Sequence, residues 1–289
     1  MKFGITVPNY GKFADRESIL EISIAAEELG FDSLWVSDHV VLPNNHKGFG
    51  NIFYEPIVTL SYIAAKTKTI KLGTSVIVLP YRNPVVLAKQ ISTLDVLSGG
   101  RVVFGVGAGW LKEEFEALGV NYAQRGQTTD EYLEIIKELY TDDSPSYNGR
   151  YNKFSDISFY PKPQQKPYPP IWVGGNSNSA LKRAVKYGSG WHVVGSTPEE
   201  ILEETKNLKE LLSKYGKTES DFTVSVRKNL QITNRKISDE SEHLRGDLEK
   251  IIAGIDAYKS SGVNYIVFQI LSSDINGVLE TMKTIKNKL

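Results

Sequence analysis

Apolar and polar residues alternate along this chain in two rhythms, a short one typical of strands and a longer one typical of helices. The segment KFGITVP near the start is strand-like, and Ile19, Ile22 and Leu29 then recur at helical spacing before Gly30, a residue that favours a helix end. This alternation continues along the chain and yields eight strand-like segments, each followed by a helix. Strands that alternate with helices predict a parallel sheet.

Eight such units in 289 residues favour a closed (β/α)8 TIM barrel, an α/β fold, over an open doubly wound sheet. No low-complexity linker divides the chain, so we expect a single domain over residues 1–289. The least regular stretch, residues 142–170, is rich in Tyr, Pro, Ser and Asn and is longer than an ordinary barrel connection. We therefore expect an insertion there, with residues 147–170 as the candidate lid.

The segment RVVFGVGAGW, residues 101–110, looks like a nucleotide-binding fingerprint but does not match one. A dinucleotide site needs G-x-G-x-x-G directly after the first strand. Here Gly105, Gly107 and Gly109 take every second position, and Trp110 stands where the last glycine belongs. In the predicted order this segment is the fourth barrel strand, where glycines allow a ligand or a neighbouring strand to come close.

The composition argues against several classes of function. The 34 Lys and Arg residues balance 34 Asp and Glu residues, which argues against an extended nucleic-acid surface. The chain has no Cys, and its four His residues lack ligand spacing, so we predict neither a disulfide nor a metal site. We find no signal-peptide pattern and no apolar run of membrane-spanning length. We therefore expect a cytoplasmic protein with a small-molecule substrate and no membrane partner.

In a TIM barrel the active site lies at the carboxyl ends of the strands, so polar residues there are the candidates. Asp38 and His39 follow the second strand, and an imidazole in a cleft is a general acid or base near neutral pH. A histidine with only a structural role in the loop is the alternative. The cases for His46, His192 and His243 are weaker, because they lie in polar loops or within a strand.

Residues on the third, fifth and seventh strands each allow two interpretations. Gly73, Thr74 and Ser75 interrupt the third strand, which fits a bulge beside a ligand or a plain strand with one glycine. The run GGN, residues 174–176, precedes a helix and is either an anion site or part of an N-cap. On the seventh strand, Arg227 is expected to point into the barrel mouth and meet an anionic ligand or a structural ion-pair partner.

Three residues that follow the fourth strand are the remaining candidates for site residues. Trp110 either lines a pocket or packs in the core. Glu113 and Glu114 begin the next helix, where carboxylates are favourable beside the helix dipole, so we assign them no chemistry.

Taken together, these segments resemble the bacterial luciferase-like superfamily of barrel enzymes, and most closely its branch that uses coenzyme F420, a deazaflavin. The resemblance covers almost the whole chain and is most specific over residues 72–120, with SDHV and PIWVGGNS in the expected order on strands two and five. It implies an oxidoreductase that transfers a hydride between the cofactor and a small organic substrate.

The resemblance also implies site residues. A non-prolyl cis peptide at Ser75–Val76 would bulge the third strand and support the cofactor ring, with Asp38 and His39 beside the ring and His39 as the acid or base. The cofactor positions implied are Asp38, Gly73, Thr74, Ser75, Val76, Gly107, Ala108, Gly174, Gly175, Asn176 and Val194.

The chain departs from the family pattern at two places. Members that oxidise sugar phosphates carry a glutamate where this chain has Trp110, and a basic residue soon after strand six where this chain reads GSTPEE. Both differences argue against a sugar phosphate, and Trp110 implies a more apolar substrate wall in a pocket that also contains Arg227.

Two other functions and one assembly state follow from the same residues. The first alternative is an FMN-dependent luciferase-like monooxygenase that uses O2 on an aldehyde, a sulfonate or a similar apolar compound. The second is a non-catalytic flavin-binding barrel. The helix near residues 57–65 carries more apolar residues than one buried stripe needs, which predicts a homodimer, unless the loop before it covers that face.

Overall fold

Eight parallel strands close into a barrel in the computed structural model, which describes residues 1–44, 46, 48–50, 52–234 and 243–289. In chain order the strands are β1 Lys2–Thr6, β2 Ser33–Val36, β3 Lys71–Thr74, β4 Val102–Gly107, β5 Ile171–Gly174, β6 Gly190–Val194, β7 Thr223–Ile232 and β8 Tyr265–Ile270. Each strand pairs in parallel with the next, and β8 pairs with β1. The predicted TIM barrel is confirmed.

Helices surround the barrel, and the residues before them explain where several begin. The helices are α1 Arg16–Glu28, α2 Pro56–Ala64, α3 Pro84–Leu97, α4 Lys112–Ala117, α5 Arg125–Thr141, α6 Asn178–Tyr187, α7 Pro198–Glu204, α8 Leu208–Ser213, α9 Leu248–Ser260 and α10 Ile275–Lys286. Asp15, Ser177 and Thr197 each accept a backbone N–H from the first turn of the helix that follows. None of the helices that the structure describes is both long and apolar enough to cross a bilayer.

Aromatic side chains fill the interior of the barrel toward the amino ends of the strands. Trp35 stacks on Trp172 with ring centroids 5.1 Å apart, and Tyr265 packs edge-on against Trp172. The Trp35 indole N–H and the Tyr265 hydroxyl both donate to Ser33 Oγ, so these polar groups are satisfied in the interior. A Cβ on Gly73 would lie 2.4 Å from the Trp35 ring, so this glycine makes room for the indole. Because these side chains fill the interior at the amino ends of the strands, we look for a ligand site at the carboxyl ends.

The third strand is interrupted where the sequence predicted an irregularity. β3 ends at Thr74, the Ser75–Val76 peptide bond is cis, and pairing with β4 resumes at Ile77–Val78. Thr74 donates its hydroxyl to the carbonyl of Gly105, which ties the interruption to the neighbouring strand.

Residues 142–170 form the expected insertion, but their contacts do not place it over the strand ends. Residues 150–152 donate backbone N–H groups to the Glu131 carboxylate on α5. Lys162 donates to the Leu139 carbonyl, and Gln165 donates to Val102 at the amino end of β4. The segment starts and ends at the amino ends of the strands and runs along α5, where Arg150 and Tyr151 reach Gln127 in the first turn of that helix. No described contact joins it to the residues at the mouth, so the lid stays a prediction.

Most of the apolar residues of α2 lie in the hydrophobic core of the chain. Ile57, Leu60 and Ile63 are buried within the chain itself, whereas Val58 is 69% exposed. On the adjacent α3, Leu97 is 80% exposed. The homodimer stays a prediction.

Replacing Gly105 with alanine should destabilise the barrel by about 3 kcal/mol, because the new Cβ would lie 1.7 Å from the Thr74 carbonyl oxygen. Gly126→Ala is the matched control. Its Cβ would meet only an arginine side chain, at 3.5 Å, and it lies in α5, where alanine stabilises by about 0.5 kcal/mol. Urea unfolding of both variants measures the difference, and equal stabilities would contradict this description of β3 and β4.

Candidate active site

His39 stands at the mouth of the barrel and is held by a buried glutamate. It follows β2, and its Nδ1 lies 2.7 Å from Oε2 of Glu114 in α4. The side chain of Glu114 has no exposed surface, whereas that of His39 keeps 9%. The carboxylate only accepts hydrogen bonds, so the proton of the imidazole belongs on Nδ1 and Nε2 is left as the acceptor.

Four donors converge on the Glu114 carboxylate. The backbone N–H groups of Val40 and Val41 donate to Oε1, and the Tyr81 hydroxyl donates to Oε2 at 3.0 Å, beside His39. Burial opposes ionisation of Glu114, but the hydrogen bonds from His39 and from the two amides outweigh it, and the pKa of Glu114 is lowered. Glu114 is therefore a charged group that fixes the tautomer and orientation of the imidazole.

Tyr81 serves this pair as a permanent donor. Burial raises the pKa of Tyr81, and the charge of Glu114 raises it further, so the phenol keeps its proton. Its ring packs edge-on against Phe115, the residue after Glu114, with centroids 4.8 Å apart. This packing holds the start of α4 against the segment that follows β3.

Asp38 is an anchor whose carboxylate oxygens are both occupied. Arg82 binds it in a bidentate pair at 2.6 and 2.8 Å, and the Val78 N–H donates to Oδ2 at 2.9 Å. Burial raises the pKa of Asp38, and the hydrogen bonds and charge of Arg82 oppose that rise. Arg82 also reaches Glu55 at the start of α2. The pair ties the end of β2 to the chain after the β3 interruption, which positions His39; a catalytic role for Asp38 stays a prediction.

Val76 forms one wall of the mouth, and glycines on the neighbouring strands make room for it. A Cβ on Gly107 would lie 2.7 Å from a Val76 methyl group, and one on Gly174 would lie 2.8 Å from another. Val76 is partly exposed, unlike its neighbours in sequence, and Ala108 beside Gly107 is partly exposed as well. The glycines of the fourth strand therefore accommodate a side chain of the third strand.

The loop after β5 is braced against the end of β6. Asn176 donates its amide to the Val194 carbonyl at 2.8 Å and accepts the Val194 N–H at 3.2 Å. Gly175 has a φ of +123°, a conformation that favours glycine. Ser177 caps α6, so this loop is an N-cap and also presents a helix start at the mouth. Val194 is half exposed beside it.

His192 lies below the mouth and is fully buried. Its Nε2 lies 2.8 Å from Ser75 Oγ, its Nδ1 lies 2.9 Å from Ser225 Oγ, and its ring stacks on Trp35. Burial, with a smaller effect from the charge of Arg227, lowers the pKa of His192 to about 3. It is neutral near pH 7 and links β3, β6 and β7 rather than exchanging protons.

Arg227 points into the barrel mouth, as expected, and meets neutral groups. Its guanidinium donates to Ser37 Oγ, Tyr10 OH and Gln269 Oε1, each at 2.7 Å, and to the Ser75 carbonyl at 3.3 Å. The structural ion pair considered for it does not appear among the residues that the structure describes.

An aromatic wall surrounds His39 on its solvent side. Trp110 is 58% exposed and lies edge-on to His39 at 6.0 Å, so it lines the mouth. Phe49 and Phe53 lie 5.1 and 5.2 Å from the imidazole. Within the described ranges, no group of three or more His, Asp or Glu side chains is placed to hold a metal ion.

The sequence profile of the luciferase-like monooxygenases matches residues 1–269 of this chain. The chain belongs to the luciferase-like monooxygenase family. The proteins of this family to which it is similar are oxidoreductases and monooxygenases, and the chain is an enzyme of that kind.

Three luciferase-like proteins illustrate the likeness. An F420-dependent glucose-6-phosphate dehydrogenase of Kineococcus radiotolerans is 32% identical over 225 residues, 75% of this chain and 63% of that enzyme. An FMNH(2)-dependent dimethylsulfone monooxygenase of Pseudomonas putida is 29% identical over 219 residues, 74% of this chain and 58% of that enzyme. The crystal structure of the monooxygenase RslO1 from Streptomyces bottropensis superposes with a TM-score of 0.87 at 23% identity, over 100% of this chain and 98% of that one.

Sequence reasoning missed the two charged partners of this luciferase-like site. The sequence indicates only a helix-start carboxylate at Glu114, which the structure shows to be the partner of His39, 75 positions away. It gives no indication of Arg82, the partner of Asp38. A glutamate at a helix start looks the same whether it faces solvent or a histidine, so the sequence offered no signal for either pair.

Lowering the pH should destabilise the protein, because the folded state holds His192 in its neutral form. In the unfolded chain the imidazole takes a proton near pH 6.5, but in the folded protein it does so only near pH 3, so stability is lost as the pH falls through that window. Between pH 6.5 and 5 this loss is about 2 kcal/mol. Urea unfolding of wild type and His192→Gln measures it. The stability advantage of wild type should shrink toward pH 5, and a pH-independent difference would contradict a neutral buried His192.

Proposed function

We propose that this enzyme is a coenzyme F420-dependent oxidoreductase that transfers a hydride between the deazaflavin and a small organic substrate. The observation that carries the proposal is the His39–Glu114 pair, an imidazole with an acceptor nitrogen at the mouth and a buried carboxylate behind it. Removing or adding a hydride at a carbon that bears oxygen also moves a proton, and such a pair is suited to that task.

The residues at the mouth fit a flat ring with an anionic tail. Val76 presents a partly exposed aliphatic surface, and Gly107 and Gly174 leave no side chain beyond it. We assign the ring to this wall and its phosphate to the loop of Gly174, Gly175 and Asn176, where the start of α6 favours negative charge. Val194, half exposed next to Asn176, would contact the tail.

When bound, the deazaflavin supplies a carbon that accepts or donates a hydride. His39 gives or takes the companion proton through Nε2, and Glu114 stabilises the positive charge that the imidazole carries after taking it. Such general acid or base action contributes about 10²–10⁴-fold to a rate. Asp38 and Arg82 hold the loop of His39 in register, and Trp110 and Phe49 exclude water around it.

The wall around His39 favours an apolar or aromatic substrate. Trp110 is exposed at the mouth in the position where sugar-phosphate-oxidising relatives are expected to carry a glutamate. Phe49 and Phe53 complete an aromatic lining in which a phosphorylated sugar would lack partners. We therefore propose a substrate other than a sugar phosphate.

An FMN-dependent monooxygenase is the second candidate function. The likeness to the dimethylsulfone monooxygenase favours it, since that relative matches almost as much of this chain as the F420-dependent one does. The phosphate loop suits either cofactor, because both carry a phosphate on the chain attached to the ring.

Titration of the purified protein with F420 and with FMN, each oxidised and reduced, separates the two candidates. We expect saturable quenching of F420 fluorescence at micromolar concentrations and FMN binding at least about tenfold weaker. Tighter binding of FMN would favour the monooxygenase. Binding of neither ring would contradict the proposed function.

Replacing His39 with glutamine should lower kcat about 10²–10⁴-fold and leave the Kd for the cofactor within about twofold, because only proton transfer is removed. Glu114→Gln should lower kcat as well, since it keeps the shape of the side chain but loses the charge that fixes the tautomer of the imidazole. Tyr81→Phe is the matched control that removes one hydrogen bond to the same carboxylate. Steady-state kinetics and cofactor titrations measure all three, and an unchanged kcat in His39→Gln would contradict the role of His39.

A further inference from the structure

We propose that Arg227 compensates the negative charge that the bound ring gains on reduction, so that the enzyme binds the reduced cofactor more tightly than the oxidised one. This inference rests on the proposed function and adds a residue that sets the redox poise of the site. It assigns Arg227 to the cofactor and not to the substrate pocket that the resemblance implied.

The guanidinium of Arg227 is buried and lacks an anionic partner in the described part of the chain. Only 7% of the residue is exposed. Its hydrogen bonds go to two hydroxyl groups at 2.7 Å, to an amide oxygen at 2.7 Å and, more weakly, to Ser75. Its Nε is a buried donor with no hydrogen-bond partner. A buried cation in this condition is costly unless an anion joins it.

The other arginines with little exposure show how this chain ordinarily treats such a group. Arg82 pairs with Asp38, and Arg183 pairs with Asp130 at 2.6 Å. Arg101 has no carboxylate within bonding distance among the described residues, but all three of its nitrogen atoms donate, mainly to backbone carbonyls near helix ends. Arg227 differs from these, because both a countercharge and an acceptor for Nε are missing among its described neighbours.

The position of Arg227 places its charge next to the wall to which we assign the ring. Its side chain starts from β7 and crosses to the ends of β1, β2 and β3, where it meets Tyr10, Ser37 and Ser75. Ser75 directly precedes Val76, the wall to which we assign the ring. Tyr10 also packs on Phe53 and Phe49 of the aromatic wall around His39, so the guanidinium lies where the ring wall meets the substrate side.

Hydride transfer makes this charge useful. A hydride carries two electrons and one proton, so the ring that accepts it gains one negative charge unless it takes a second proton from solvent. A guanidinium N–H directed at that charge forms a charge-assisted hydrogen bond, and the low dielectric of the interior strengthens it. His192 is the titratable group stacked beneath the mouth, and it stays neutral there. Arg227 therefore supplies the positive charge at this place.

The test is the Kd of oxidised and of reduced cofactor, measured without oxygen, in wild type, Arg227→Met and Arg227→Lys. We expect Arg227→Met to weaken binding of the reduced form about tenfold or more and of the oxidised form much less, because the ring that has accepted a hydride carries one more negative charge. The midpoint potential of the bound cofactor should fall accordingly. Arg227→Lys keeps a charge and should retain most of the preference.

A second measurement needs no variant and covers the case in which Arg227→Met does not fold. Reduction of the cofactor bound to wild type should take up one proton fewer, per two electrons, than reduction of the free cofactor at the same mildly acid pH, where the free reduced ring is neutral. A pH indicator follows the uptake. Equal proton uptake by the bound and the free cofactor would overturn the inference, as would equal weakening of both redox forms in Arg227→Met. If wild type binds neither form, the proposed function fails and this inference fails with it. Failure of the inference alone leaves tight binding with no preference for the reduced form.

Discussion

The packing of one valine against the glycines of two neighbouring strands is the constraint on which the site depends. Val76 leaves the line of β3 and places its side chain over Gly107 and Gly174, where any larger residue would collide with it. The carbonyl of Thr74 comes so close to Gly105 that no Cβ fits between them. Three strands are thereby locked to one another at the carboxyl end, and an aliphatic surface faces the mouth. Everything proposed about a flat ring depends on that surface.

The buried charged side chains at the mouth differ in whether they have hydrogen-bond and ion-pair partners. The Glu114 carboxylate gains enough hydrogen bonds to lower its pKa, whereas burial raises the pKa of Asp38 despite its arginine. Both groups are used as supports, one behind the imidazole of His39 and one beneath its loop. Among the described residues, the buried guanidinium of Arg227 lacks both a countercharge and an acceptor for its Nε, which is why we connect it with a ligand.

The architecture could be predicted from the sequence because hydrophobic periodicity is local. Eight strand and helix repeats indicated the barrel, and strand ends then indicated where Asp38, His39 and Arg227 would gather. The pairing of His39 with Glu114 could not be predicted, because it joins the loop after β2 to a helix after β4 and depends on the side-chain geometry of the closed barrel. The glycines of the fourth strand were recognised as a place of close approach, but not the side chain that approaches them.

Connectivity places only the two ends of the insertion. A segment between a helix and the next strand starts and ends at the amino side of a barrel, while the active site is at the other side. Gln165 accordingly binds Asp95 in α3 and Val102 at the amino end of β4. The return of Tyr151 along α5 to Gln127 depends on side-chain contacts that length and composition do not indicate.

The most direct test of the account is a distance measurement between Val76 and the bound ring. With selectively labelled valine methyl groups, nuclear Overhauser contacts to the aromatic protons of the cofactor can be recorded in the loaded protein. We predict contacts from the Val76 methyl groups to the ring and their disappearance in Val76→Ala, with binding retained. A bound ring that shows no contact with Val76 would contradict the claim that this wall holds it.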